Sequence, residues 1–595
     1  MKNLKALNPY FAKYKIIFLW GIFFVIISNV FGLFPPQLIR YSLDLIADTI
    51  DTYGFLEGFE IKKELYKEAS IYIFLFGILI LSTSIIRGIF MFFMRQTLVV
   101  MSRKIEYDQK AQLYDHYQLL SSSFYKRNNT GDLMSRITED VSKVRMYVGP
   151  AIMYAINTIA LFVMVIYAMF KTNAYLSFWV LLPLPILSFS IYKISDSINK
   201  KSEAISKQLS HITSLAQEYF SGIRVLKAFV RTDYAGEVFE KASEAYKQKT
   251  ISLSKTEAFF APLMLLLIGT STILAVFIGG NEVIRGKFTA GNIAEFVYYI
   301  NMLTWPVASI GWVVSLVQRA EASQKRINEF LNQQSDIKNI SNADFPTIEK
   351  IVFKDLSFTY PDTGINALKE INFEITKGQK IAIVGRTGSG KSTIAELLLR
   401  NYDPSKGNIL INDSALATLN LNKLRDKIGY VPQDVFLFSE TVANNISFGK
   451  ENADLETIKH FAKISAVDKD IEGLPNQYET LVGERGVTLS GGQKQRISIA
   501  RALIKDPELV IFDDCLSAVD ANTEKTILDN FSKSLKDKTV FFITHRIFSL
   551  FDFDLILVLE DGKLVGQGKH TDLIKKQGIY SELYQIQQQE EINIK

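Results

Sequence analysis

Ile381-Ala382-Ile383-Val384-Gly385-Arg386-Thr387-Gly388-Ser389-Gly390-Lys391-Ser392-Thr393 is the stretch on which the reading of this 595-residue chain turns. An apolar run of buried-strand type enters a G-x-x-x-x-G-K-[ST] loop, and Ile394-Ala395-Glu396-Leu397-Leu398-Leu399 continues as a helix. Glycines let backbone N–H groups turn inward around phosphate oxygens, at a helix N-terminus whose dipole favours negative charge. Lys391 supplies a point charge to the β/γ-phosphates, and the Ser392 hydroxyl can ligate Mg²⁺. The candidate nucleotide contacts are therefore Gly385, Arg386, Thr387, Gly388, Ser389, Gly390, Lys391, Ser392 and Thr393. The strand–loop–helix order predicts an α/β P-loop NTPase domain.

Downstream, Leu509-Val510-Ile511-Phe512 reads as a second buried strand ending in Asp513-Asp514. An acid at that place beside a P-loop holds Mg²⁺, which makes Asp513 a metal candidate. Between the two strands lies Leu489-Ser490-Gly491-Gly492-Gln493, opening a helix and again suited to phosphate. Either both phosphate-binding elements touch one nucleotide, or each serves a different nucleotide in a dimer.

Upstream the chain changes character. Uncharged windows at 16–39, 69–86, 146–170, 172–192, 258–281 and 296–318 are each about long enough to cross a hydrocarbon core of about 30 Å. Mean hydropathy is +0.12 with 22% charged residues, as expected of a chain part membrane and part water-soluble. With 42 Phe and 26 Tyr the chain has ample apolar bulk for a core, which excludes disorder. The single cysteine, Cys515, excludes an intrachain disulfide, and five histidines leave little room for histidine-based metal chemistry. A net charge of +5 from 67 basic and 62 acidic residues is too balanced for a nucleic-acid partner. The first window is too long for a signal peptide and lacks a small-residue cleavage site, so it reads as a retained span. With the N-terminus inside, the inner connections hold 24 Lys and Arg against 7 outside, which predicts a cytoplasmic N-terminus and a cytoplasmic C-terminal half.

The two inner connections are long and keep helical periodicity, which suggests membrane helices that continue into the cytoplasm. Each ends in a basic–apolar tip, near 115–131 (Phe124-Tyr125-Lys126-Arg127) and near 214–230 (Ile223-Arg224-Val225-Leu226-Lys227-Ala228-Phe229). Either tip suits docking on a second cytoplasmic unit, or is simply a solvated helix end. Residues 331–349 turn polar and read as a linker. The expected organisation is a membrane domain over 1–330 including the tips, the linker, and a nucleotide domain over 350–595. Arg87 and Arg95 are the charges nearest the spans. Phe31, Phe34, Phe90, Phe93, Trp305 and Trp312 could line a pocket or face lipid and neighbouring helices.

Taken together these motifs resemble the ABC transporter ATPases, and the whole chain resembles exporter-type half-transporters with six spans ahead of the nucleotide-binding domain. Leu489-Ser490-Gly491-Gly492-Gln493 matches that family's signature sequence. The resemblance extends in order to other positions. It makes Tyr360, in Phe358-Thr359-Tyr360-Pro361, the aromatic that stacks on adenine. Gln433, in Tyr430-Val431-Pro432-Gln433, becomes the residue that senses Mg²⁺ and the membrane domain. Glu484, in Val482-Gly483-Glu484-Arg485-Gly486, falls in the exporter segment facing the coupling helices. Ser517-Ala518-Val519-Asp520 is then the loop crossing the dimer interface, and His545 the switch histidine that touches the γ-phosphate.

The implied fold is a polytopic α-helical membrane domain of type I exporter form followed by an ABC-type ATPase domain. The implied cofactors are ATP and Mg²⁺, the metal on Ser392, Gln433 and Asp513. The catalytic candidates are Asp514, His545 and Gln433. Nucleotide contacts also include Tyr360 and, from a second half-transporter, Ser490, Gly491, Gly492 and Gln493. Implied partners are membrane lipid, that second chain as homodimer or heterodimer, and a hydrophobic or amphipathic drug, lipid or peptide-like substrate at the cytoplasmic (inner) membrane.

One position departs from the family: glutamate normally follows the Walker B aspartate, and here Asp514 stands in its place. Its carboxylate falls back by about 1.5 Å, while a base needs about 2.6–3.2 Å of reach. The chain therefore also fits an ATP-binding regulatory subunit whose own site is slow and whose partner carries the fast ATPase.

Overall fold

Backbone groups in hydrocarbon must be satisfied internally, so apolar windows of this length fold as helices. In the computed structural model six helical segments among the described residues carry such windows: Lys15–Phe55, Ile61–Leu119, Thr130–Thr172, Ala174–Ser221, Thr232–Ile284 and Ala290–Leu331. The residues described are 2–55, 61–339, 345–483, 486, 488–545, 547, 552–576 and 578–594. Segments of 41 to 59 residues are about 60–90 Å long, two to three hydrocarbon thicknesses. The long connections are thus largely helix.

The chain separates into two units, residues 1–118 with 131–333 and residues 119–130 with 334–595. The core of the first is built from Leu161, Val165 and Met169, from Val180, Leu184 and Leu187, and from Met264, Ala275, Phe296, Tyr299 and Leu303. Beyond the apolar windows, polar contacts join the fourth and fifth helices. Lys201 Nζ donates to Thr256 Oγ1 (2.7 Å), and Lys249 Nζ donates to Gln208 Oε1 (2.8 Å). Arg87 turns its guanidinium to the first helix, within 3.3 Å of where a side chain on Gly32 would begin. Phe31 stacks on Phe90 and Trp312 meets Tyr154 edge-on, so these rings join helices, whereas Phe34 and Trp305 are exposed.

Among the described residues the second unit holds two sheets. One is antiparallel, in the order β2-β1-β4-β5, from β1 (Lys350–Thr359), β2 (Asn366–Thr376), β4 (Lys406–Ile411) and β5 (Ser414–Ala415). The other runs β10-β9-β3-β8-β7-β6, from β3 (Lys380–Gly385), β6 (Ile428–Val431), β7 (Leu509–Asp513), β8 (Thr539–Thr544), β9 (Leu555–Glu560) and β10 (Lys563–Gly568). All its pairings are parallel except β9 with β10. Side chains alternate across the pleat. On β7 and β8, Leu509, Ile511, Phe541 and Ile543 join one apolar layer, while Val510, Phe512, Val540 and Phe542 join the other. There Phe512 stacks on Phe531 of the helix Ala521–Ser534 at 4.7 Å.

The first tip, whose pattern suits either docking on a second cytoplasmic unit or a solvated end, groups by its contacts with the ATPase unit, as residues 119–130. Ser123 Oγ and Arg127 Nη2 both donate to Asp336 Oδ2 (2.6 and 2.7 Å), and Lys126 Nζ lies 5.2 Å from the Tyr402 ring centre. Glu484 lies outside the described residues.

Candidate functional site

Parallel strands end on the same edge of a sheet, which is where open α/β folds bind ligands. β3 ends at Gly385, β7 at Asp513 and β8 at Thr544, with Val384 in register with Thr544 and Asp513 with Ile543. The residues that follow form one cleft of about 560 Å³. It brings together Tyr360, Thr387, Gly388, Gly390, Lys391, Ser392, Thr393, Gln433, Asp513, Asp514 and His545. Gly385, Arg386 and Ser389 do not line it, nor do Ser490, Gly491, Gly492 and Gln493.

The loop is shaped by close backbone approach. Gly390 has φ +97°, and a Cβ there would lie 2.4 Å from the Ala367 carbonyl oxygen. Gly390→Ala is expected to weaken ATP-analogue binding by at least about tenfold, since the left-handed backbone and the collision both open the loop. Fluorescence titration of the purified variant checks this, and unaltered affinity would contradict the loop's role.

Lys391 Nζ donates to the Gly385 and Arg386 carbonyls (2.9 and 2.8 Å), so its ammonium is held by its own loop. Burial pulls its pKa down, against the carboxylates of Asp514 and Asp513. Ser392 Oγ donates to Asp513 Oδ1 at 2.9 Å. Burial raises Asp513 to about 6, with Asp514 and Glu396 adding to the shift. Ser389 Oγ is buried with no hydrogen-bond partner among the described residues. A phosphate fits the loop: glycines at positive φ, Gly388 and Gly390, and a held ammonium at the start of a helix. Magnesium fits too, because it takes hard oxygens from one or two carboxylates plus phosphates rather than a dedicated cage.

Tyr360 is half-buried, its hydroxyl 3.1 Å from Thr393 Oγ1 and its ring edge-on to Phe358 and Tyr402. Gln433 stands exposed at the mouth, just past β6. Asp514 has a left-handed backbone, φ +48°, and its Oδ1 is 3.1 Å from His545 Nδ1. A proton on Nδ1 directed at this carboxylate leaves Nε2 as the group facing outward.

Ser490 and Gln493 cap the helix Gly491–Leu503 reciprocally, each side chain bonded to the other's backbone N–H. Gln495 ties that helix to the following loop, donating to Ser517 Oγ and accepting from Ala518 N (both 3.1 Å). Sequence reading missed the wall beside the P-loop, formed by Asn366, Ala367, Lys369, Asp561 and Gly562. The Asp-Gly pair between β9 and β10, both at positive φ, is a hairpin signal that could have found it.

A P-loop ATPase unit carried on one chain with six membrane-crossing helices defines an ATP-driven membrane transporter. Residues 17–307 match the ABC transporter transmembrane region and residues 368–517 the ABC transporter ATPase family. The chain belongs to the ABC transporter family, with the architecture of an exporter half-transporter. It is 35% identical over 589 residues, covering 98% of this chain and 97% of the relative, to a probable multidrug resistance ABC transporter ATP-binding/permease protein, YheI, of Bacillus subtilis. It is 29% identical to an ATP-dependent lipid A-core flippase of Photobacterium profundum, covering 99% and 98% of the two chains. A solved bacterial Atm1-family ABC exporter with ATP bound superposes with TM-score 0.77 at 25% identity, covering 96% and 99% of the two chains. The chain is thus a multi-pass membrane protein that binds ATP and couples its hydrolysis to export.

Proposed function

We propose that the chain is one half of a dimeric exporter that moves a hydrophobic or amphipathic compound, drug, lipid or peptide-like, out of the cytoplasm by alternating access. The observation that carries this reading is the incompleteness of the cleft. It holds the P-loop, both aspartates and His545, yet Ser490, Gly491, Gly492 and Gln493 do not line it. Their capped helix N-terminus is a phosphate site without a phosphate position on its own chain, and a second copy or a similar chain would supply one. Each composite site then prefers the closed dimer, and that difference in binding free energy drives the switch of the spans.

Magnesium would be held by Ser392, Asp513 and Gln433 and would neutralise phosphate charge. Tyr360 stacks on the base, Lys391 holds the β/γ-phosphates, and Asp514 with His545 activates and positions water. The multidrug and lipid A-core relatives support an apolar or amphipathic cargo. The lysine and arginine asymmetry of the connections supports a cytoplasmic N-terminus and ATPase unit in the cytoplasmic membrane.

A second reading is favoured by Asp514 itself. Its short carboxylate is engaged by His545, so this site hydrolyses slowly while a glutamate-bearing partner turns over fast.

ATP-dependent accumulation of amphipathic dyes in inside-out vesicles tests the export reading. Accumulation that is absent with active ATPase over a broad dye and lipid panel would sink it. The same vesicles test coupling through the second tip. Phe220, Val225, Phe229 and Val230 are 61–83% exposed there, an apolar surface suited to an ATPase unit. Glycine or charge substitutions at 224–229 are expected to abolish transport while ATP-analogue affinity stays within about twofold, since no tip residue lines the cleft. Loss of nucleotide binding in a folded variant would refute this.

A further inference from the structure

The helix Ile579–Ile594 packs on the flank of β3 and β9. Tyr580 is buried against Ala382, Val384, Ile556 and Val558, with Leu583 and Ile547 beside the same cluster. The Tyr580 hydroxyl lies 2.6 Å from His570 Nδ1, which fixes the start of the helix. Two further side chains of this helix reach residues beside the ATP cleft. Glu582 binds Arg386 of the P-loop, both carboxylate oxygens near Nη2 (2.9 and 3.1 Å). This explains why Arg386 faces away from the cleft.

Gln587 uses both halves of its amide on the backbone around the switch histidine. Its Nε2 donates to the His545 carbonyl oxygen at 2.7 Å, and its Oε1 accepts from Ile547 N at 2.8 Å. β8 ends at Thr544, so at His545 the chain has left the ladder that fixed it. The amide replaces a strand partner at the point where the backbone path determines where the imidazole sits. That imidazole is 3.1 Å from Asp514, a distance that small backbone movements would lose.

We propose that Gln587 is a positioning residue for ATP hydrolysis, holding the backbone at His545 so that the imidazole stays on Asp514, and that the C-terminal helix thereby sets the turnover of the site. The proposal rests on the reading of Asp514 and His545 as the pair that activates water. Gln587 touches no reacting atom. It acts on the rate and leaves the nucleotide grip alone, because the P-loop, Tyr360 and Ser392 are held by other contacts.

The test is steady-state ATPase of the full chain in lipid nanodiscs for Gln587→Ala, Gln587→Glu, His545→Ala and the double variant Gln587→Ala/His545→Ala. Hydrogen exchange over residues 544–548 is read on the same samples. Gln587→Ala is expected to lower kcat roughly three- to tenfold, the worth of one or two net hydrogen bonds, with KM and ATP-analogue affinity unchanged. Gln587→Glu, which keeps the acceptor and loses the donor, should fall at least as far. Exchange at Ile547 N–H should quicken, and Gln587→Ala should cost nothing further once His545 is alanine. Unaltered kcat, unaltered exchange, or a full additional loss in the double variant would overturn the proposal. If His545→Ala itself keeps full kcat, the premise about His545 fails and this proposal with it. Reduced kcat in His545→Ala beside normal kcat in Gln587→Ala overturns this proposal alone.

Discussion

Lys391→Ala is expected to weaken ATP binding by roughly 30- to 150-fold. A charged hydrogen-bond donor facing phosphate is worth about 2–3 kcal/mol, and each 1.4 kcal/mol is a factor of ten. The loss has a second source in this structure. Lys391 is also a cation whose charge acts on both Asp513 and Asp514. Without it, two carboxylates confront the incoming phosphates, with Ser392 bonded to Asp513 and His545 beside Asp514. Titration of a fluorescent ATP analogue into the purified chain reads the change. Affinity within threefold of wild type would overturn the assignment of this loop as the phosphate grip.

The other large effect concerns turnover. If the short Asp514 carboxylate limits hydrolysis, Asp514→Glu should raise kcat by about tenfold, part of the 10²–10⁴ that a general base contributes. His545→Ala in the glutamate background should erase the gain, because the imidazole beside the carboxylate is then missing. In a complex with a glutamate-bearing partner, Ser490 and Gly492 substitutions should do more damage than Asp514→Asn. They would spoil the partner's fast site, whereas Asp514→Asn touches the slow one. Steady-state ATPase of each variant, as homodimer and with any candidate partner, separates these cases. A homodimer whose fast wild-type rate is silenced by Asp514→Asn alone would identify Asp514 as a fully working base and end the slow-site reading.

The helix tip at 119–130 shows what patterning leaves open. Its pattern suits docking or a solvated end equally; in the fold Ser123 and Arg127 bind Asp336 and Lys126 lies over Tyr402, all within the ATPase unit. Periodicity reports that a segment is helical and which residues share a face. It carries no information about which body that face meets.

What the sequence determined by itself was everything local. The P-loop is contiguous, and its glycines, Lys391 and Ser392 answer to phosphate chemistry over a few residues, so their spacing was sufficient. Hydropathy over about 20 residues was sufficient for the six spans, because the cost of unsatisfied backbone in hydrocarbon leaves helix as the only solution for such windows. The continuous apolar run of β7 was likewise legible as buried strand, whereas β8 was not read from the sequence. Tertiary structure decided the rest. His545 meets Asp514 because β7 and β8 are parallel neighbours ending in register, and strand order cannot be read from either strand. Arg386 turns out to Glu582, and Gln587 braces His545, because a helix far along the chain packs on the flank of β3. Contacts of this kind are set by which surfaces the folded sheet leaves to be covered, a property of the assembled layers that no single segment encodes.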